Sequence, residues 1–102
     1  MPRRPINFRR IAEEATDHSQ TILERWLPDG RREGGEWVAR NPKRADARLG
    51  SFKINLHSGL WSDFATGDRG RDLIALAAYL FGLPQYDAAL RVADMLGINA
   101  YE

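Results

Sequence analysis

The sequence predicts a small α+β domain: a three-stranded antiparallel sheet with one helix before it and two after it. Three observations predict it. Phe8, Ile11, Ala15, Ile22 and Trp26 recur at helical spacing near the N-terminus. Ser51-Phe52-Lys53-Ile54-Asn55-Leu56 alternates polar and apolar residues ahead of a glycine turn and a second aromatic segment. Asp72 opens an apolar run that Gly82 and Pro84 close. A chain of 102 residues has room for one such core and no second one.

The elements follow in order. Residues 1–7 are a basic arm carrying Arg3 and Arg4. Asn7 is suited to cap a helix over residues 8–27, which Pro28-Asp29-Gly30 ends. Residues 31–35 read as a polar loop, and residues 36–64 as the sheet. Its first strand is Glu36-Trp37-Val38-Ala39-Arg40, followed by a basic loop over residues 41–50. The second and third strands flank His57-Ser58-Gly59. A three-residue turn there pairs Leu56 with Leu60, Ile54 with Ser62 and Phe52 with Phe64 on the core face. Lys53, Asn55, Trp61 and Asp63 then share the outer face. Residues 72–98 form a helical pair: Asp72 caps the first helix, Gly82 follows its end, and Gly97 ends the second.

Composition narrows the function classes. Hydrophobic residues make up 43% of the chain and charged residues 28%, an ordinary globular mix. The net charge of +1 conceals segregation: basic residues gather in the N-terminal arm and in residues 31–71, acidic ones in the helical segments. The chain has no cysteine, which excludes disulfides, a thiol nucleophile and thiolate-bound zinc. The longest apolar run is about half of a bilayer span, and no apolar stretch follows the N-terminal arginines, so a cytoplasmic protein without a membrane partner is expected. His18 and His57 sit on a helix and at a turn, and no serine triad or metal motif accompanies them. Gly67-Asp68-Arg69-Gly70 lacks the lysine of a phosphate loop. No catalytic residue and no cofactor is expected.

Three segments carry a resemblance. Gly50-Ser51-Phe52-Lys53-Ile54 opens a strand, Gly59-Leu60-Trp61-Ser62 gives the turn and returning strand, and Gly67-Asp68-Arg69-Gly70-Arg71-Asp72-Leu73-Ile74 leads into an apolar helix. In order and spacing they resemble the N-terminal zinc-binding domain of DnaG-type bacterial primases and of phage and plasmid primase-helicases, over a little under half the chain. The resemblance implies a ribbon-like sheet that engages single-stranded template. It also implies two pairs of zinc ligands, one near residues 40–45 and one at Asp63 and Thr66. None of these residues is Cys or His, so a zinc-less relative is expected. Trp37, Phe52, Trp61, Phe64 and the first helix would replace the metal's contribution by apolar burial. Asp63 would be a surface carboxylate near Lys53 or an arginine.

Binding an unpaired strand requires cations for the phosphates and a flat ring for the bases. Arg40, Lys43, Arg44, Arg48, Lys53, Arg69 and Arg71 are the expected phosphate contacts, and Trp61 the stacking ring unless it packs in the core. The sequence therefore points to a non-catalytic single-stranded DNA-binding module of a replication system, such as one of a phage or plasmid. Its expected partners are template DNA and a primase polymerase domain or a helicase. The competing reading is an adaptor or inhibitor that docks on a replication or host protein. It would use the acidic first helix and the apolar third, with Trp26, Tyr86 and Tyr101 as anchors.

Overall fold

The computed structural model describes residues 3–44 and 50–102. Among the described residues there are four helices and a five-stranded antiparallel sheet. Helices α1 (Phe8–Asp17) and α2 (Ser19–Trp26) come first. Strands β1 (Arg31–Glu33), β2 (Glu36–Ala39), β3 (Phe52–Asn55), β4 (Trp61–Asp63) and β5 (Arg69–Gly70) follow and lie side by side in chain order. Helices α3 (Leu73–Phe81) and α4 (Gln85–Leu96) close the chain. The α+β class and the helix–sheet–helix order stand as the sequence implies, but the sheet has five strands where three were expected.

The expected first helix is interrupted at His18. The His18 N–H ends α1 by donating to the Ala15 and Thr16 carbonyls. The next residue is drawn inward: the buried Ser19 hydroxyl donates to the Leu56 carbonyl at 2.7 Å. That hydrogen bond anchors α2 to the hairpin and seats Ile22 and Leu23 in the core.

The two C-terminal helices have the ends that their sequence encodes. The Asp72 carboxylate accepts from the Ala75 N–H at 2.8 Å. Gly82 and Gly97 take left-handed conformations after α3 and α4, at φ of 64° and 69°. The helices cover one face of the sheet. Trp37, Ala39, Phe52, Ile54 and Trp61 bury that face against Ile11, Ala15, Leu73, Ile74, Leu76 and Val92. The N-terminal segment is tied into the helical side: Ile6 bridges Tyr101, and the Asn7 N–H donates to the Ala100 carbonyl at 2.9 Å.

Strand register differs from expectation by one residue, and a turn explains it. The Asn55 side-chain oxygen accepts from the His57 and Ser58 N–H groups at 2.8 and 2.9 Å. It thereby builds a four-residue loop in place of a three-residue one. Asn55 then pairs with Leu60 through its N–H, and Gly59 closes the loop at φ 80°. Ile54 consequently faces Trp61 and Phe52 faces Asp63. A shift of one residue exchanges the faces of a strand. Trp61 and Asp63 go to the core, while Leu60 and Phe64 come out to 54% and 74% exposure. Phe64 therefore adds nothing to the core, which Trp37, Phe52 and Trp61 serve instead.

Candidate nucleic-acid interface

The face of the sheet turned away from the helices carries a row of side chains; it is open over β3 to β5, whereas Val38 on β2 is buried at 2% exposure. Arg31 pairs with Val38, Val38 with Lys53, Lys53 with Ser62 and Ser62 with Arg69. Cross-strand partners share a face, so these five residues cross the sheet in line. At ~4.8 Å per strand the cations of this row are about 10 Å apart. A groove of about 520 Å³ lies over β3 to β5, lined by Lys53, Asn55, Leu60, Ser62, Arg69 and Arg71 among others. Glu36 closes one side of it.

Among the described residues, the side chains of Lys53, Arg69 and Arg71 have no hydrogen-bond or ion-pair partner, so their charge is available to an anion. Arg31 is held by Glu33 at 2.6 Å. Arg40 is exposed just past the end of β2. Phe64 projects beyond β4, its N–H held by the Ser51 carbonyl at 3.0 Å. Strand alternation puts it on the same face as Ser62.

The remaining expected contacts go elsewhere. Lys43 donates to the Tyr79 carbonyl at 2.9 Å and lies 5.1 Å from the Tyr79 ring centre. The Arg44 guanidinium reaches Asp63 at 3.4 Å. Arg48 lies outside the described residues. Trp61 is 5% exposed: its ring packs 6.1 Å from Phe52 and 5.0 Å from Tyr79, and its Nε1–H donates to the Asp72 carbonyl at 3.1 Å. A buried indole offers no face to a base, so the expected stacking role of Trp61 is corrected.

Asp63 also departs from expectation, since its carboxylate is fully buried rather than at the surface. Oδ2 accepts from the Asn41 amide at 2.9 Å and from Arg44, and Oδ1 accepts from the Ala65 N–H at 2.9 Å. Burial alone would raise its pKa. The Asn41 and Ala65 hydrogen bonds, the Ser51 side chain and the Arg44 charge together outweigh burial and hold it below the ordinary carboxylate value. The Asn41 amide also donates to the Tyr79 hydroxyl at 2.8 Å, which donates to Asp68 at 2.8 Å. Burial is the main cause that raises the Tyr79 pKa, and the hydrogen bond to Asp68 adds to it. Residues 41–44, the end of β4 and α3 are thus joined by one polar network.

Sequence reasoning missed Phe64, Leu60 and Arg31. Arg31 lay in a segment, Arg31-Arg32-Glu33, with no apolar residue to signal a strand. Phe64 and Leu60 were assigned to the wrong face by the register.

The fold is shared with a solved primase structure. The chain is similar to the crystal structure of the Aquifex aeolicus primase comprising zinc-binding and RNA polymerase domains, with a TM-score of 0.74 and 18% sequence identity. The match covers 90% of this chain and 22% of that one. At that identity the likeness establishes a primase-related fold. No family model and no curated protein matches the chain.

A primase ribbon implies zinc, and the residues here do not fit it. Among the described residues, no cluster of three His, Cys, Asp or Glu is positioned to hold a metal. Asn41 turns its amide N–H rather than its oxygen toward Asp63. A guanidinium takes up the same carboxylate oxygen, and it has no lone pair to give a metal.

Proposed function

We propose that this domain binds single-stranded nucleic acid on the open face of its sheet, as a non-catalytic module that presents template to a primase polymerase domain or a helicase. The observation that carries the reading is the line of cations on that face: Lys53 and Arg69, with Arg71 beside the groove and Arg31 at the far edge. The primase-related fold supports a replication role. Phosphates would lie over Lys53, Arg69 and Arg71, while Arg40 approaches from the end of β2. Phe64 takes the stacking role, being the most exposed of the large hydrophobic residues among those described. Lys43 and Arg44 are engaged with Tyr79 and Asp63 and act as structural cations.

The test is binding of a labelled oligonucleotide across a salt series. Contact with about three phosphates of a single strand gives a log–log slope near −2. Binding that ignores salt, or no binding at low salt, refutes the reading.

The adaptor reading finds its anchors occupied. Trp26 packs edge-on to Phe81 at 5.6 Å, and Arg3 and Arg4 cover Tyr86 and Tyr101 at 4.6 and 3.8 Å. A protein partner captured in high salt after nuclease treatment would favour that reading instead.

A further inference from the structure

Two turns of this chain meet at Asp63, and they lie in the segments where the resemblance implies paired zinc ligands. Asn41 and Arg44 are separated by two residues, as are Asp63 and Thr66. This is the spacing of paired ligands in zinc ribbons. Each turn is closed by its own backbone. The Arg44 N–H donates to the Asn41 carbonyl at 3.1 Å, and the Thr66 and Gly67 N–H groups donate to the Asp63 carbonyl at 3.3 and 2.8 Å. The turns are then joined through side chains, by the Asn41 amide at 2.9 Å and the Arg44 guanidinium at 3.4 Å, both on Asp63 Oδ2.

We infer that Asn41, Arg44 and Asp63 form a metal-replacing clasp, a hydrogen-bonded ion pair that holds together the two turns a zinc ion would otherwise hold. The chemistry is that of an inverted site. A zinc centre brings anionic or neutral lone pairs to a central cation. Here a central carboxylate receives only donors: an amide, a guanidinium and the Ala65 N–H at 2.9 Å. Both carboxylate oxygens are engaged, and the one unit of negative charge is balanced by Arg44. Thr66 keeps the spacing, but its hydroxyl accepts from the Asp68 N–H at 3.2 Å and takes no part in the clasp. The clasp extends through Asn41 to Tyr79, so it also fastens the turns to α3. A domain closed in this way needs neither a metal nor a reduced thiol to fold.

The experiment has two arms on the full chain in reducing buffer. In the first, the melting temperature of the unaltered protein is measured with EDTA and with added Zn²⁺. It should stay unchanged in both, and a fall with EDTA or a rise with Zn²⁺ overturns the inference. The second arm combines Asn41→Cys, Arg44→Cys, Asp63→Cys and Thr66→Cys. This variant should melt at least about 10 °C lower without metal, then regain a cooperative transition on adding Zn²⁺. With Co²⁺ it should show a thiolate charge-transfer band. Absence of that band means that the four positions do not converge. An unchanged melting temperature without metal means that the clasp holds nothing. Either result overturns the inference.

Discussion

Asp63 shows how a single buried charge organises its surroundings. With no exposed surface, its carboxylate is held by Asn41, Arg44 and the Ala65 N–H. Removing the carboxylate takes an acceptor from the buried Asn41 amide and from the Ala65 N–H, so Asp63→Ala should cost about 3 kcal/mol of stability, measured by urea unfolding. The pH dependence follows from the lowered pKa. A carboxylate more acidic in the folded than in the unfolded state binds its proton more tightly when unfolded. Its contribution is therefore complete above about pH 4 and is lost as pH falls through the folded value. Between pH 6 and pH 3 the unaltered protein should lose more stability than Asp63→Asn, and equal losses would mean the pair is not formed. Phe64 gives the opposite case, a large apolar side chain at 74% exposure with little folding energy in it. Phe64→Ala should leave the melting temperature within a few degrees and weaken oligonucleotide binding about 5- to 160-fold, the range of one stacked base.

Elements differ in how far their own residues announced them. The ends of α3 were legible because capping is local: Asp72 bonds to a backbone group three residues away, and Gly82 needs only its own backbone freedom. The register of β3 on β4 was not, because a side chain decides it: Asn55 folds over the turn and lengthens the loop by one residue. That one residue reversed the faces of Leu60, Trp61, Asp63 and Phe64, which include both the expected stacking residue and the actual exposed ring. The spacing of Asp63 and Thr66 was visible, but the depth of the carboxylate was not, since burial depends on chain segments far away. Strand β5 was hidden by its length and rests on a close approach. A Cβ at Gly70 would come within 2.4 Å of the Trp61 indole. Gly70→Ala should therefore displace either β5 or the indole, seen as a change in tryptophan fluorescence and a loss of several degrees in melting temperature. Because Arg69 lies on β5 opposite Ser62, the same substitution should also flatten the salt dependence of binding.

At the scale of the molecule, charge is divided between two sides. The helical layer covers one face of the sheet and leaves the other open, and the chain termini are fastened on the helical side. The Ile6–Tyr101 bridge, the Asn7–Ala100 hydrogen bond and the Glu102 N–H on the Pro5 carbonyl at 3.2 Å join them. Arg3 and Arg4 lie over Tyr86 and Tyr101, and the Tyr86 hydroxyl donates to the Arg4 carbonyl at 2.8 Å. Those two arginines thus serve packing on the helical side, whereas Lys53, Arg69 and Arg71 belong to the open sheet. Removing residues 1–6 should lower the melting temperature, since it deletes the buried Ile6 and its bridge to Tyr101. At a temperature where the shortened chain remains folded, its oligonucleotide affinity and salt slope should match those of the full chain. If instead the basic arm embraced the strand, the slope would shrink by about 0.7 for each phosphate no longer neutralised. Lys53→Ala, Arg69→Ala and Arg71→Ala should each produce a decrement of that size with little effect on folding. The two kinds of variant therefore separate cations that hold the domain together from cations that face the open sheet.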